Sequence, residues 1–167
     1  TSAMWKYQVF DRLPAGVNYS TFPAMSDFAR EIAITVRQLF EGYEMPELIF
    51  EPGRCIAGSN QFLLLTAHHV KDRARAGKWI ITDGGLSTVT MPTYYEYHEL
   101  FLANDVLRPR TEHVTIIGPA CFAGDVVYRN KLMPVVKSGD VIAIMDSGAY
   151  FTAFESSFGF PRPAIIA

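Results

Sequence analysis

Apolar residues recur at helical spacing in one clear stretch of the chain. Phe28, Ile32, Val36 and Leu39/Phe40 lie about one turn apart, with Ser26 placed to cap the start and Gly42 to end it. This predicts an amphipathic helix, and Asp27 and Arg37 suit its dipole. After a short loop, Leu48-Ile49-Phe50 form a compact apolar run ended by Glu51-Pro52-Gly53, the pattern of a buried strand that stops at a loop. Beyond residue 56 the pattern changes. Apolar runs at 62–70, 79–82, 114–117, 126–128, 141–145 and 150–154 read as strands, separated by turn signals such as Asp83-Gly84-Gly85, Gly118-Pro119, Ser138-Gly139-Asp140 and Ser147-Gly148.

The expected class is mainly β with some α: a β-domain of the sandwich or Greek-key barrel type over residues 57–167, preceded by a helix-and-strand remnant over residues 1–56. One helix and one buried strand cannot build an α/β layer alone. The expectation is therefore that the remnant belongs to a larger layer whose earlier elements lie ahead of Thr1. No internal repeat or flexible linker interrupts the chain.

Composition narrows the function classes. The 167 residues are 49% hydrophobic and 13% aromatic, enough for one domain with a sizeable core. A net charge of -2 offers no concentrated basic surface, so neither nucleic acid nor an anionic membrane is an expected partner. The longest apolar stretches, such as residues 61–67, fall far short of the roughly 20 residues needed to span a bilayer. The opening Thr1-Ser2-Ala3-Met4-Trp5-Lys6 lacks the charged and apolar regions of a secretory signal, and Cys55 and Cys121 read as free thiols. A cytoplasmic location is expected. His68 and His69 are adjacent, so on a strand they point to opposite faces, and no metal site is expected.

Three segments carry candidate chemistry. Glu51-Pro52-Gly53-Arg54 places a carboxylate and a guanidinium three residues apart around a glycine; taken alone it reads as a surface turn with a loose ion pair. Ile117-Gly118-Pro119-Ala120-Cys121-Phe122-Ala123-Gly124-Asp125 is a tight turn presenting a thiol, although a lone cysteine is more often an inert small hydrophobe. Ser138-Gly139-Asp140-Val141 through Ser147-Gly148-Ala149-Tyr150 is a turn, an apolar strand and a second turn, which is also plain hairpin architecture. In this order, and with Ser156-Ser157-Phe158 and Pro161-Arg162-Pro163 behind them, the segments resemble the fold type III pyridoxal-phosphate decarboxylases, the group of diaminopimelate and ornithine decarboxylases. The resemblance runs from about residue 45 to the end, supported by residues 79–85 and by Tyr97-His98.

The resemblance implies that residues 1–56 are the last helix and strand of a (β/α)8 barrel. It also implies the cofactor pyridoxal 5'-phosphate and a role for each motif residue. Glu51 would stand beside the pyridine nitrogen and keep it protonated, as electron uptake by the ring requires. Arg54 and Tyr150 would hold the phosphate, the guanidinium through its planar fork and the tyrosine through its hydroxyl, with Gly53 and Gly148 allowing close backbone approach. Cys121 would donate the proton that replaces carbon dioxide, in the partner's active site, so a homodimer with shared sites acting on a small-molecule amino-acid substrate is implied.

Some features depart from the family. None of Lys6, Lys71, Lys78, Lys131 or Lys137 sits in a motif like that of the Schiff-base lysine, and residues 1–50 hold no glycine-rich phosphate loop, Gly16 being isolated. The chain alone is therefore expected to be inactive and to represent the carboxy-terminal portion of the enzyme. Phe122 follows Cys121 where many members carry a polar residue, and Met91 precedes Pro92 where diaminopimelate decarboxylases place an arginine. These two positions argue for a less polar or larger substrate than diaminopimelate. A non-catalytic homologue acting as a dimerisation or regulatory module would equally lack the lysine.

Overall fold

A computed structural model describes residues 23–89, 96 and 98–167. Residues 1–6, Gly16, Met91, Pro92 and Tyr97, used above, lie outside the described residues. The predicted helix is present as α1, Met25–Leu39. Its cap is not Ser26: Ala24 precedes the first turn, and the Asp27 carboxylate accepts the Ala24 N–H at 3.0 Å. The apolar stripe of α1 is left open, with no residue of the helix buried and Phe28 50% exposed.

The expected buried strand over residues 48–50 is corrected. Leu48, Ile49 and Phe50 form no strand and are exposed, Ile49 by 84%. An apolar run becomes a buried strand only where neighbouring strands pair with it, and none of the described strands does. The Glu51-Pro52-Gly53 segment then leads into a one-turn helix, α2, Arg54–Ala57.

The β-rich expectation holds in its barrel form. Strands β1 (Leu63–Asp72), β2 (Lys78–Thr82), β3 (Leu100–Leu102), β4 (Arg110–Ile117), β5 (Val126–Pro134) and β6 (Val141–Ile144) form one sheet in the order β3-β6-β1-β2-β4-β5. The edge strands β3 and β5 come together, so the sheet nearly closes on itself. Arg110 strengthens that closure by donating to the Leu100 carbonyl at 2.7 Å and pairing with Glu99 at 2.6 Å. Alternating residues fill the interior: Leu65 and Ala67 of β1, Leu100 and Leu102 of β3, Val114 and Ile116 of β4, and Ile142 and Ile144 of β6.

Three sequence expectations differ. The short β3 was not foreseen. The strand expected over residues 150–154 is instead a turn and a 3-10 helix, Thr152–Phe154, because Tyr150 adopts φ +66°, outside the strand region. A bulge between Ala67 and His69 also interrupts the alternation of β1, and His68 and His69 are both exposed.

Candidate functional site

Strand directions gather the motif segments at one end of the sheet. β2 and β4 run parallel, so Gly84-Gly85 and Gly118 leave their strands side by side. β6 runs antiparallel to β1 and β3, which puts the turn after Ile144 beside the beginnings of both. The α2 turn ahead of β1, residues 96 and 98–99 ahead of β3, and the Ser147-Gly148-Ala149-Tyr150 turn after β6 therefore converge.

At that convergence Arg54 meets Glu96 through both terminal nitrogens, Nη2 lying 2.5 Å from Oε1 and Nη1 pairing with Oε2. The Arg54 guanidinium carbon also stands 4.7 Å over the Tyr150 ring, a cation–π arrangement. His98, buried, braces Glu96 from behind. Its Nε2 lies 3.0 Å from Glu96 Oε2, and its Nδ1 lies 2.8 Å from the Met145 carbonyl, which can only accept, so Nδ1 carries the hydrogen there. The imidazole packs edge-on against Phe151, with centroids 5.0 Å apart.

Charge follows this geometry. Burial opposes ionisation of the Glu96 carboxyl, but the hydrogen bonds from Arg54 and His98, with their charges, outweigh it and hold the group below the ordinary carboxylate range. Arg54 is held still more firmly protonated, chiefly by its hydrogen bond to Glu96. A guanidinium has five N–H donors, and a bidentate carboxylate leaves others for a second anion.

Glycine permits the close packing here. The Gly148 N–H donates to the Gly58 carbonyl at 2.9 Å, and a Cβ on Gly148 would stand 1.8 Å from the Ala57 carbonyl oxygen, so no side chain fits. A Cβ on Gly53 would lie 3.8 Å from the Tyr150 hydroxyl. Tyr150 is held in the left-handed region, a conformation that side chains other than glycine's enter only when surrounding contacts impose it.

The four residues Gly53, Arg54, Gly148 and Tyr150, singled out from separate motifs, are thus brought together. Glu51 lies in the exposed segment just ahead of them. Cys121 is exposed on the turn between β4 and β5, held by a different set of neighbours. Sequence reasoning passed over Glu96, whose place among Tyr94, Tyr95 and Tyr97 in the sequence was the available signal. It also gave no role to Asp125, whose buried carboxylate accepts N–H bonds from both Leu86 and Ala120.

Comparisons with known proteins agree with this arrangement. Residues 55–148, which span the sheet from α2 to the glycine of the last motif, match the family model described as the pyridoxal-dependent decarboxylase C-terminal sheet domain. The diaminopimelate decarboxylase of Methanocaldococcus jannaschii is 35% identical over 84% of this chain, and that of Archaeoglobus fulgidus 33% over 81%. The crystal structure of the M. jannaschii enzyme with L-lysine superposes with a TM-score of 0.76 at 32% identity, covering 88% of this chain and 34% of that one. The chain spans about a third of the length of the curated relatives it matches. With three motifs, a nearly closed sheet and these matches in agreement, the chain belongs to the pyridoxal-dependent decarboxylases, and residues 55–148 are their carboxy-terminal sheet domain.

Proposed function

We propose that this chain is the carboxy-terminal portion of a pyridoxal-phosphate-dependent amino-acid decarboxylase of the diaminopimelate type, with residues 1–56 contributing α1 as the last helix of its barrel and residues 48–50 pairing as a strand only beside the strands of that barrel. The observation that carries the reading is the convergence of Arg54, Gly53 and Tyr150 from two distant motifs around one guanidinium. The donor set suits a phosphate: an arginine with donors to spare, a tyrosine hydroxyl, and glycine where the backbone is crowded. Bound there, pyridoxal phosphate would supply the sink for the electrons left on Cα when carbon dioxide departs.

The chain's own residues divide the remaining work. Arg54 and Tyr150 bind and orient the phosphate. Glu96, braced by His98, holds Arg54 against the Tyr150 ring and so fixes where the phosphate sits. Glu51 would stand beside the ring nitrogen of the bound cofactor and keep it protonated, and Cys121 would deliver a proton to the substrate in the active site of a partner subunit. The enzyme is then a cytoplasmic homodimer acting on a small-molecule amino-acid substrate.

Diaminopimelate is the favoured substrate, because the relatives at 30–35% identity include diaminopimelate decarboxylases from both archaea and Bacillus subtilis. The contrary expectation rests on Phe122 and Met91. Phe122 is 56% exposed, with its ring folded over Gly124.

Replacing the matching third of the M. jannaschii enzyme with residues 45–167 of this chain tests the reading. The chimera is expected to decarboxylate meso-diaminopimelate in preference to L-ornithine, and Arg54→Ala in it to weaken cofactor retention at least about tenfold, the loss of one charge-assisted contact. A folded, cofactor-loaded chimera with no decarboxylase activity would favour a non-catalytic dimerisation module. Preference for a larger, less polar amino acid would restore the weight of Phe122 and Met91.

A further inference from the structure

The turn that carries Cys121 is built around one carboxylate. Asp125 is 4% exposed. Its Oδ1 accepts the Leu86 N–H at 2.6 Å and its Oδ2 the Ala120 N–H at 2.7 Å, so a single side chain joins the turn after β2 to the turn after β4. Its backbone closes the same loop from inside: the Asp125 carbonyl accepts from Gly118 N–H at 3.0 Å, and the Asp125 N–H donates to the Phe122 carbonyl at 3.0 Å. Cys121 lies between these anchors, one residue after Ala120 and one before Phe122.

The fit around the carboxylate leaves little freedom. A Cβ on Gly85 would stand 2.1 Å from Asp125 Oδ1 and 2.5 Å from the Gly118 Cα, and one on Gly118 would meet both carboxylate oxygens within 2.4 Å. Two glycines placed back to back let the carboxylate reach both amides. The next residue along the β2 turn, Ser87, accepts a hydrogen bond from the Ser156 N–H at 2.9 Å, so the tail that follows Tyr150 and Phe154 docks on this unit.

We propose that Asp125 is the positioning residue of the Cys121 loop: by clamping the Leu86 and Ala120 amides together it fixes the path of the backbone that presents the thiol. Its importance for catalysis rests on the proton-donor reading of Cys121, but its effect on the loop does not. Asn keeps the shape of Asp yet replaces one of the two accepting oxygens with a donating NH2, so it can satisfy only one of the two amides.

The test uses the full chain with Cys55→Ser, leaving Cys121 as the single thiol. Hydrogen exchange at the Leu86 and Ala120 amides and the rate of Cys121 alkylation by iodoacetamide are compared for Asp125, Asp125→Asn and the control Asp140→Asn, whose carboxylate accepts an N–H in another turn. In folded Asp125→Asn at least one of the two amides should lose about tenfold in protection, the equivalent of one charge-assisted hydrogen bond, and the alkylation rate should change with it. The Asp140→Asn control should alter neither. If Asp125→Asn only lowers the unfolding midpoint, while protection and alkylation in the folded state match the parent, the residue is merely structural and the proposal fails. Where Asp125→Asn does not fold, the parent decides: the two amides must open together with one denaturant dependence, and separate opening overturns the clamp. In the chimera described above, a Cys121→Ala variant of undiminished activity would sink the proton-donor reading while leaving the loop result standing.

Discussion

At the scale of single residues, the consequences of the Arg54–Glu96–His98 chain follow from charge. Glu96 is held below the ordinary carboxylate range, so its stabilising contribution is present above the carboxyl's unfolded value and is lost as pH falls through the lower folded value. The stability gap between the parent and Glu96→Gln should therefore be full near neutral pH and shrink in acid. At pH 7 it should be about 1 kcal/mol, modest because Arg54 is half exposed and screened. Urea unfolding across pH 3–7 measures it, and a gap that grows toward acid would contradict the assigned pairing. Tyr128 offers a contrasting case. Its hydroxyl is buried without a hydrogen-bond partner among the described residues, and burial, with Glu99 and Glu96 nearby, pushes its ionisation up. Removing that hydroxyl relieves an unmet polar group, so Tyr128→Phe should be neutral or stabilising by up to about 1–2 kcal/mol, whereas a loss of more than about 1 kcal/mol would reveal a partner for the hydroxyl.

At the scale of elements, the sheet and the amino-terminal segment behave differently. The sheet carries the buried core, and Ile142 at its centre is fully enclosed, so Ile142→Ala should cost about 2–5 kcal/mol in thermal or urea unfolding. Phe28 and Ile32 of α1, half to one-third exposed, should tolerate Phe28→Ser with a change within about 0.5 kcal/mol in this chain. In a longer chimera that carries residues 23–167 of this chain behind the barrel of the M. jannaschii enzyme, the same substitution should destabilise the protein, if α1 supplies the last barrel helix; equal tolerance in both would argue against that placement. The periodicity of α1 was legible because helical spacing is a local property. Leu48-Ile49-Phe50 were misread as buried for the complementary reason: their burial depends on strands elsewhere, not on their own pattern. The short β3 escaped notice because three residues, Leu100–Leu102, give too few alternations to stand out.

For the whole molecule, the proposed shared site makes a prediction that no single subunit can satisfy. In chimeric dimers, mixing Cys121→Ala with a variant lacking the barrel's Schiff-base lysine should restore part of the activity, because heterodimers would hold one intact site. If subunit exchange is demonstrated and the mixture stays as inactive as its parents, Cys121 acts within its own chain or is structural. The chain alone, mixed with pyridoxal phosphate, should yield no borohydride-fixable adduct at one defined lysine, since none of its lysines lies in a suitable motif.

The sequence by itself determined the motifs, the family they resemble and the strand-rich character of residues 57–167, because turn residues, alternation and motif order are all written locally along the chain. Only the tertiary structure decided that Arg54 meets Glu96 across 42 residues, that Tyr150 turns into the left-handed region instead of continuing a strand, and that Asp125 reaches Leu86. Those contacts arise from strand order and near-closure of the sheet, which bring together loop ends that no local pattern connects.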